Sequence, residues 1–285
     1  MEDRDVLKNI KKIEIKTRYL VEGLLQGAYH SIFKGRGIEF SEVREYAIGD
    51  DVRTIDWNVT ARMNHPYIKE FIEERDLTIY IIFDVSGSGE FGSSKSKKES
   101  AIELCASLMF AALRNNDKVG IALFTDKVER FIYPRKGRKH VLKLIREMVY
   151  FKPENKRTDI KNTLDYMSKV IKKRSIIFIV SDFISEDFSK PLKLLKNKHD
   201  IIAINMYDIR EVQLPDVGYI ELEDEETGEQ ILVDTSDPEF RAEYAKLADE
   251  RTEELHQSMK KMKIDMIGIK SGEQFDVPLR KFFIQ

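Results

Sequence analysis

Asp84-Val85-Ser86-Gly87-Ser88 places one carboxylate and two hydroxyls on alternate residues. Hard oxygen donors at that spacing suit a small hard cation, with Mg²⁺ the best match. Taken alone the pattern is weak, because serine and glycine populate any turn. Two later positions belong with it. Thr158, in Arg157-Thr158-Asp159, precedes a predicted helix, and Asp182, in Ser181-Asp182-Phe183, follows a predicted strand. The plain alternative is that Asp84, Ser86 and Ser88 shape a strand-to-helix turn, that Thr158 and Asp159 cap a helix, and that Asp182 is a turn acid. Their order, each at a loop of one predicted sheet, favours a metal site. Asp126, Asp159 and Asp187 are taken as ordinary loop acids.

The elements that must position these groups follow from hydrophobic patterning. Leu77 to Phe83 and Ser175 to Val180 are apolar without alternation, as in strands of a parallel sheet covered on both faces. Lys118 to Phe124 and Asp200 to Tyr207 read likewise, and Val128 to Tyr133 reads as an antiparallel edge strand. Helices are predicted from about Glu99 to Arg114, Arg138 to Tyr150, Asp159 to Lys173, from about Ser189, and from Asp237-Pro238 to about Met262. The last has an acid at its cap and proline at its first position. Ile264 to Ile269 closes the sheet. This alternation defines an α/β fold, a mostly parallel Rossmann-like sheet flanked by helices, and ligands of such sheets bind at the carboxyl ends of the strands. Residues 1–75 form a separate region: an amphipathic helix over 5–26 and a small irregular β segment over 31–76. Residues 76–285 carry the sheet, with an acidic hairpin insertion near 217–233.

The chain has 285 residues, 48 Lys plus Arg and 50 Asp plus Glu, a balance that argues against a general nucleic-acid binder. Its one cysteine, Cys105, excludes an internal disulfide framework and sits in an apolar helix as a buried, inert thiol. No apolar run approaches the ~20 residues of a membrane helix, and the charged amino terminus is unlike a signal peptide. The expected location is the cytoplasm.

The acid, the two serines, the threonine and the second acid, taken in order, resemble a von Willebrand factor A domain with a metal-ion-dependent adhesion site. The resemblance implies that Ser86, Ser88 and Thr158 ligate Mg²⁺ (or Mn²⁺ or Ca²⁺) directly. Asp84 and Asp182 would act through water or as counter-charge, and one position would stay open for an Asp or Glu carboxylate of a partner protein. A second, longer motif runs Gly35-Arg36-Gly37-Ile38-Glu39-Phe40-Ser41-Glu42-Val43-Arg44-Glu45-Tyr46, then Gly49-Asp50-Asp51-Val52-Arg53-Thr54-Ile55-Asp56-Trp57 and Thr60-Ala61-Arg62. It resembles the signature of the bacterial family called "domain of unknown function 58", whose members carry a von Willebrand A-like domain and are often encoded beside MoxR-type AAA+ ATPases. That resemblance implies a non-catalytic, Mg²⁺-dependent adaptor working with such an ATPase in assembling or activating a protein complex. Gly89 departs from the pattern, where a larger residue often follows the second serine.

Rival readings rest on weaker features. Gly87-Ser88-Gly89-Glu90-Phe91-Gly92 has phosphate-loop glycines, but its lysine arrives late. A metal-dependent phosphatase or nuclease using Asp84 and Asp182 is the alternative function, although such chemistry usually needs more direct carboxylates and a base. Arg135 to His140 reads as a solvated helix entry. His30 and His65 lack partners at zinc spacing. The mixed charges of Arg44 to Arg62 are expected to form a salt-bridge network around a buried Trp57 anchor, the alternative being a docking surface.

Overall fold

The computed structural model describes residues 11, 13–14, 43–63, 65–69, 77–90, 96–223, 228–273 and 275–284. The expected amphipathic helix over 5–26 lies largely outside them; Lys11, Ile13 and Glu14 are helical. His30 and the first part of the long motif also lie outside.

Six strands make the central sheet: β3 (Thr78–Asp84), β4 (Lys118–Phe124), β5 (Val128–Arg135), β6 (Ile176–Ser181), β7 (Asp200–Tyr207) and β10 (Asp265–Lys270), ordered β10-β7-β6-β3-β4-β5. Adjacent strands are parallel except for the β4–β5 pair. The sheet is mixed α/β and Rossmann-like, in agreement with the sequence pattern. The continuous apolar runs have a simple reason. Along β3, Ile79, Ile81 and Phe83 enter one core, while Tyr80 and Ile82 enter the other. Helices α2 (Lys97–Arg114), α3 (Arg138–Tyr150) and α7 (Asp276–Ile284) cover the first core. Helices α4 (Ile160–Val170) and α5 (Ser189–Lys196) and the end of α6 (Pro238–Lys261) cover the second.

Chain direction locates the site. After β3 the chain builds β4 and β5 on one side and then crosses to β6 on the other. The strand order therefore reverses between β3 and β6, where a crevice opens at the carboxyl ends of an α/β sheet. Gly120 serves the opposite flank. A Cβ there would lie 2.7 Å from the Ile132 carbonyl oxygen and 2.9 Å from Pro134 N, beside a register shift between β4 and β5.

The motif-bearing segment forms a two-stranded antiparallel ribbon of β1 (Val43–Glu45) and β2 (Tyr67–Lys69), joined through a short helix α1 (Trp57–Met63). The helix was not expected there. Arg44 pairs with Asp50, and Arg53 with Asp51, so these ions close local turns. Trp57 corrects the expectation of a buried anchor: it is 69% exposed, and α1 contains no buried residue. The inference from residue type failed because about two turns of helix with no buried residue have too little surface behind them to cover an indole. Arg138 at the α3 entry pairs with Glu14, which ties the amino-terminal segment to the main body. The expected hairpin is present as β8 (Tyr219–Glu223) and β9 (Gln230–Asp234), with residues 224–227 outside the described set. Helix α6 starts as its sequence predicts, with Asp237 accepting from Glu239 N–H and Pro238 at the first turn. Helix α7 was not anticipated; Phe275 and Leu279 hold it on the first core. Among the described residues, no helix is long and apolar enough to cross a membrane.

Candidate functional site

Asp84 ends β3, and both of its oxygens are engaged. Oδ1 accepts from Ser86 N–H (3.0 Å) and Oδ2 accepts from the Ser181 hydroxyl (2.7 Å) at the end of neighbouring β6. The first bond turns the chain so that Ser86 and Ser88, flanking the start of a 3-10 turn (Gly87–Glu90), bring their Oγ atoms within 3.2 Å. Neighbouring oxygens in a Mg²⁺ octahedron with bonds of about 2.1 Å stand roughly 3 Å apart. The donor type and the spacing of the two hydroxyls thus fit such an ion.

Thr158 sits in a loop that backbone bonds hold on both sides. Gly87 N–H donates to the Lys156 carbonyl (2.9 Å), and Asp159 N–H donates to the Thr125 carbonyl (3.0 Å), one bond on either side of Thr158. Glu129 on β5 fixes the same loop by accepting from Glu154 N–H (2.9 Å) and Asn155 N–H (3.3 Å). Asp159 caps α4 through Asn162 N–H (2.8 Å), so the capping role falls to Asp159.

Asp182 follows Ser181 at the end of β6. Its Oδ1 accepts from Ile184 N–H (3.2 Å) and its Oδ2 from the Lys97 ammonium (2.9 Å). Phe183, the next residue, has a φ of +57°, a left-handed conformation that costs a non-glycine residue roughly 1–2 kcal/mol. Burial of its ring and donation from its N–H to Ser181 Oγ (3.0 Å) hold it there. The conformation turns the chain sharply away just after the acid.

Three residues of the site were not singled out in the sequence. Ser181 bridges Asp84 to the backbone beyond Asp182. Lys97, the first residue of α2, is only 3% exposed, and its ammonium also meets Glu211 Oε1 at 2.5 Å. Glu211 is presented by a 3-10 turn (Ile209–Glu211) after β7, capped by Asp208, and its other oxygen accepts from Asp208 N–H (2.9 Å). No pattern distinguishes Lys97 from Lys95 and Lys98. The partners that define it lie 85 and 114 residues away.

Asp84, Ser88, Lys97, Lys98, Ser181 and Asp182 line an open cleft together with the apolar Phe83, Ala101, Val180 and Met206; Ser86, Thr158 and Glu211 do not line it. Burial, and next the charge of Asp182, push the Asp84 carboxyl up from 3.8 to about 6, against the opposing pull of its bonds from Ser181 and Ser86. Burial alone would lower the Lys97 pKa. The charges of Asp182 and Glu211 outweigh it and hold the ammonium above its ordinary value. Cys105 is fully buried, and burial raises its thiol pKa, as expected of an inert thiol.

An uncharacterized protein of Mycobacterium tuberculosis, Rv1480, is 29% identical over 252 residues, covering 87% of this chain and 79% of its own length. An uncharacterized protein of Mycobacterium avium is 33% identical over 97 residues, covering 34% of this chain and 57% of its own. Among solved structures, BatB from Bacteroides thetaiotaomicron is similar with a TM-score of 0.43 at 14% identity, covering 73% of this chain and 97% of its own. An aerotolerance-related membrane protein from Bacteroides fragilis has a TM-score of 0.45 at 16% identity, with the same coverage. The sequence family described as protein of unknown function DUF58 matches residues 42–254, and the chain belongs to that family.

Proposed function

We propose that this protein is a non-catalytic recognition module that captures a carboxylate of a protein partner through a Mg²⁺ ion at the β3–β6 crevice, in the manner of a metal-ion-dependent adhesion site. Mn²⁺ or Ca²⁺ can stand in for Mg²⁺. The observation that carries the reading is the Ser86–Ser88 hydroxyl pair, 3.2 Å apart, held in place by Asp84 at the strand-order reversal. Ser86, Ser88 and Thr158 would hold the ion, with Asp84 and Asp182 behind them. A bound dication supplies a Lewis-acidic attachment point with an exchangeable position.

The residues themselves orient and hold. Ser181 fixes Asp84, Asp84 fixes the Ser86 amide, and Thr158 stands on the loop that Glu129 pins. Recognition is preferred to hydrolysis because three of the five proposed ligands are hydroxyls, whereas metal-assisted hydrolysis usually draws on more direct carboxylates and a base. Hydrogen bonds from the protein fix Asp84, Asp182 and Glu211 in position. The partner suggested by the family resemblance is a MoxR-type AAA+ ATPase, acting with this protein in assembling or activating a complex in the cytoplasm.

Mn²⁺ titration followed by electron paramagnetic resonance tests the reading. Wild type is expected to bind one equivalent, displaceable by Mg²⁺, and the Ser86→Ala/Ser88→Ala double variant to lose it with its circular dichroism spectrum unchanged. Equal binding by both proteins would refute the site.

A further inference from the structure

Lys97 raises a question that the metal reading does not answer. A lysine side chain that is 3% exposed is uncommon, and this one sits between two carboxylates from different strand ends. It takes Asp182 Oδ2, while the Ile184 amide takes Oδ1. Both oxygens of the acid that would face a cation's water shell are therefore already bonded.

We infer that Lys97 is an internal counter-cation that holds Asp182 in the place of a metal-bound water, so that the ammonium and a divalent cation compete for the same carboxylate. The inference rests on the metal reading above and adds how occupancy is set. With the cleft empty of a dication, the ammonium balances Asp182. When a dication enters, Lys97 gives up Asp182 and keeps Glu211, whose 2.5 Å bond offers it a second berth without leaving the protein. Glu211 belongs to the capped turn after β7, and the carbonyl of Arg210 in that turn accepts from the Tyr244 hydroxyl on α6 (3.5 Å). Lys98 lines the same cleft and adds to the repulsion a dication meets, but it does not hold Asp182.

The test compares Mn²⁺ affinity of the full chain in wild type, Lys97→Met and Lys97→Arg. Removing the charge is expected to tighten Mn²⁺ binding at least about tenfold, because a nearby like charge is removed from a partly desolvated site. Lys97→Arg, which keeps the charge, is expected to stay near wild type. Wild-type binding with no tightening in Lys97→Met overturns the inference and leaves the metal reading standing. Absence of Mn²⁺ binding in wild type and in Lys97→Met overturns both. A second measurement needs no substitution at Lys97 and holds if Lys97→Met does not fold. Acylation of Lys97 in the wild-type protein, read by peptide mass spectrometry, is expected to speed up severalfold with saturating Mg²⁺ and to stay constant in Ser86→Ala/Ser88→Ala. A wild-type rate that does not respond to Mg²⁺ refutes the competition.

Discussion

Replacing Asp84 by Asn should change how stability depends on pH, and the sign follows from the site. The Asp84 carboxyl is pushed up from 3.8 to about 6 in the folded protein, mainly by burial and then by Asp182. A folded-state pKa above the unfolded one means that the native state binds the proton more tightly. The contribution of Asp84 is then fully present below about pH 4 and is lost as pH rises through about 6. Each unit is worth about 1.4 kcal/mol, so the loss is roughly 2–3 kcal/mol once the water that reaches this half-buried group is allowed for. Asn cannot ionise and escapes that loss. Its oxygen can accept from Ser86 N–H, and its NH₂ can donate to Ser181 Oγ if that hydroxyl rotates, so the substitution itself costs about 1 kcal/mol.

Urea unfolding of both proteins in chelator, across about pH 4 to 8, gives the comparison. The stability of wild type minus that of Asp84→Asn is expected to fall by roughly 2–3 kcal/mol over this range. Adding Mg²⁺ should restore wild type above about pH 6, where the carboxylate is ionised, and leave the variant unchanged. A difference that is flat with pH would mean that Asp84 ionises normally, and the electrostatic account of the cleft would be wrong. A Mg²⁺ effect of equal size in both proteins would place the ion elsewhere.

Trp57→Ala is expected to shift unfolding stability by no more than about 0.5 kcal/mol, because the indole is 69% exposed and its loss opens no cavity; a drop of several kcal/mol in chemical denaturation would show that it packs against something in solution. Gly120→Ala should destabilise by about 1–3 kcal/mol, since the added methyl meets backbone atoms of β5 at 2.7 and 2.9 Å and the two strands must part. An unchanged unfolding midpoint would show that the β4–β5 pairing yields freely.

The strands were legible because each central one is buried on both faces, and that requirement writes an unbroken apolar run into the sequence. Ile81, Phe178 and Ile202 announce the sheet without any knowledge of their neighbours. The carboxyl ends of β3 and β6 were legible for the same reason, which is why Asp84 and Asp182 could be placed at one rim. Lys97 could not be found this way. It sits among lysines in a polar stretch, and only the crossing of the chain from β4–β5 to β6 brings Asp182 and Glu211 to it. Helix α7 was missed because its hold on the molecule is tertiary, through Phe275 and Leu279. Trp57 was misjudged because residue type says what a side chain prefers, and the short α1 offers it nothing to pack on.

Asp84, Asp182 and Glu211 crowd one crevice, and their charges must be answered there. A proton answers Asp84 below about pH 6, and the Lys97 ammonium answers part of the rest. Architecture alone would not call for such a cluster, since replacing a buried ion pair by apolar groups is often neutral or stabilising. Burial first, and then the charge of Asp182, raise the Asp84 pKa with Lys97 in place. A further cation on the Ser86–Ser88 side would answer the Asp84 charge at neutral pH. The hydroxyls face the one acid that the ammonium does not hold, so the unanswered charge and the hard-oxygen donors lie together. Proton, ammonium and dication are then linked through the same carboxylates: whatever strengthens one weakens the others. Raising pH should therefore favour divalent binding, and removing Lys97 should lower the divalent concentration at which the site fills.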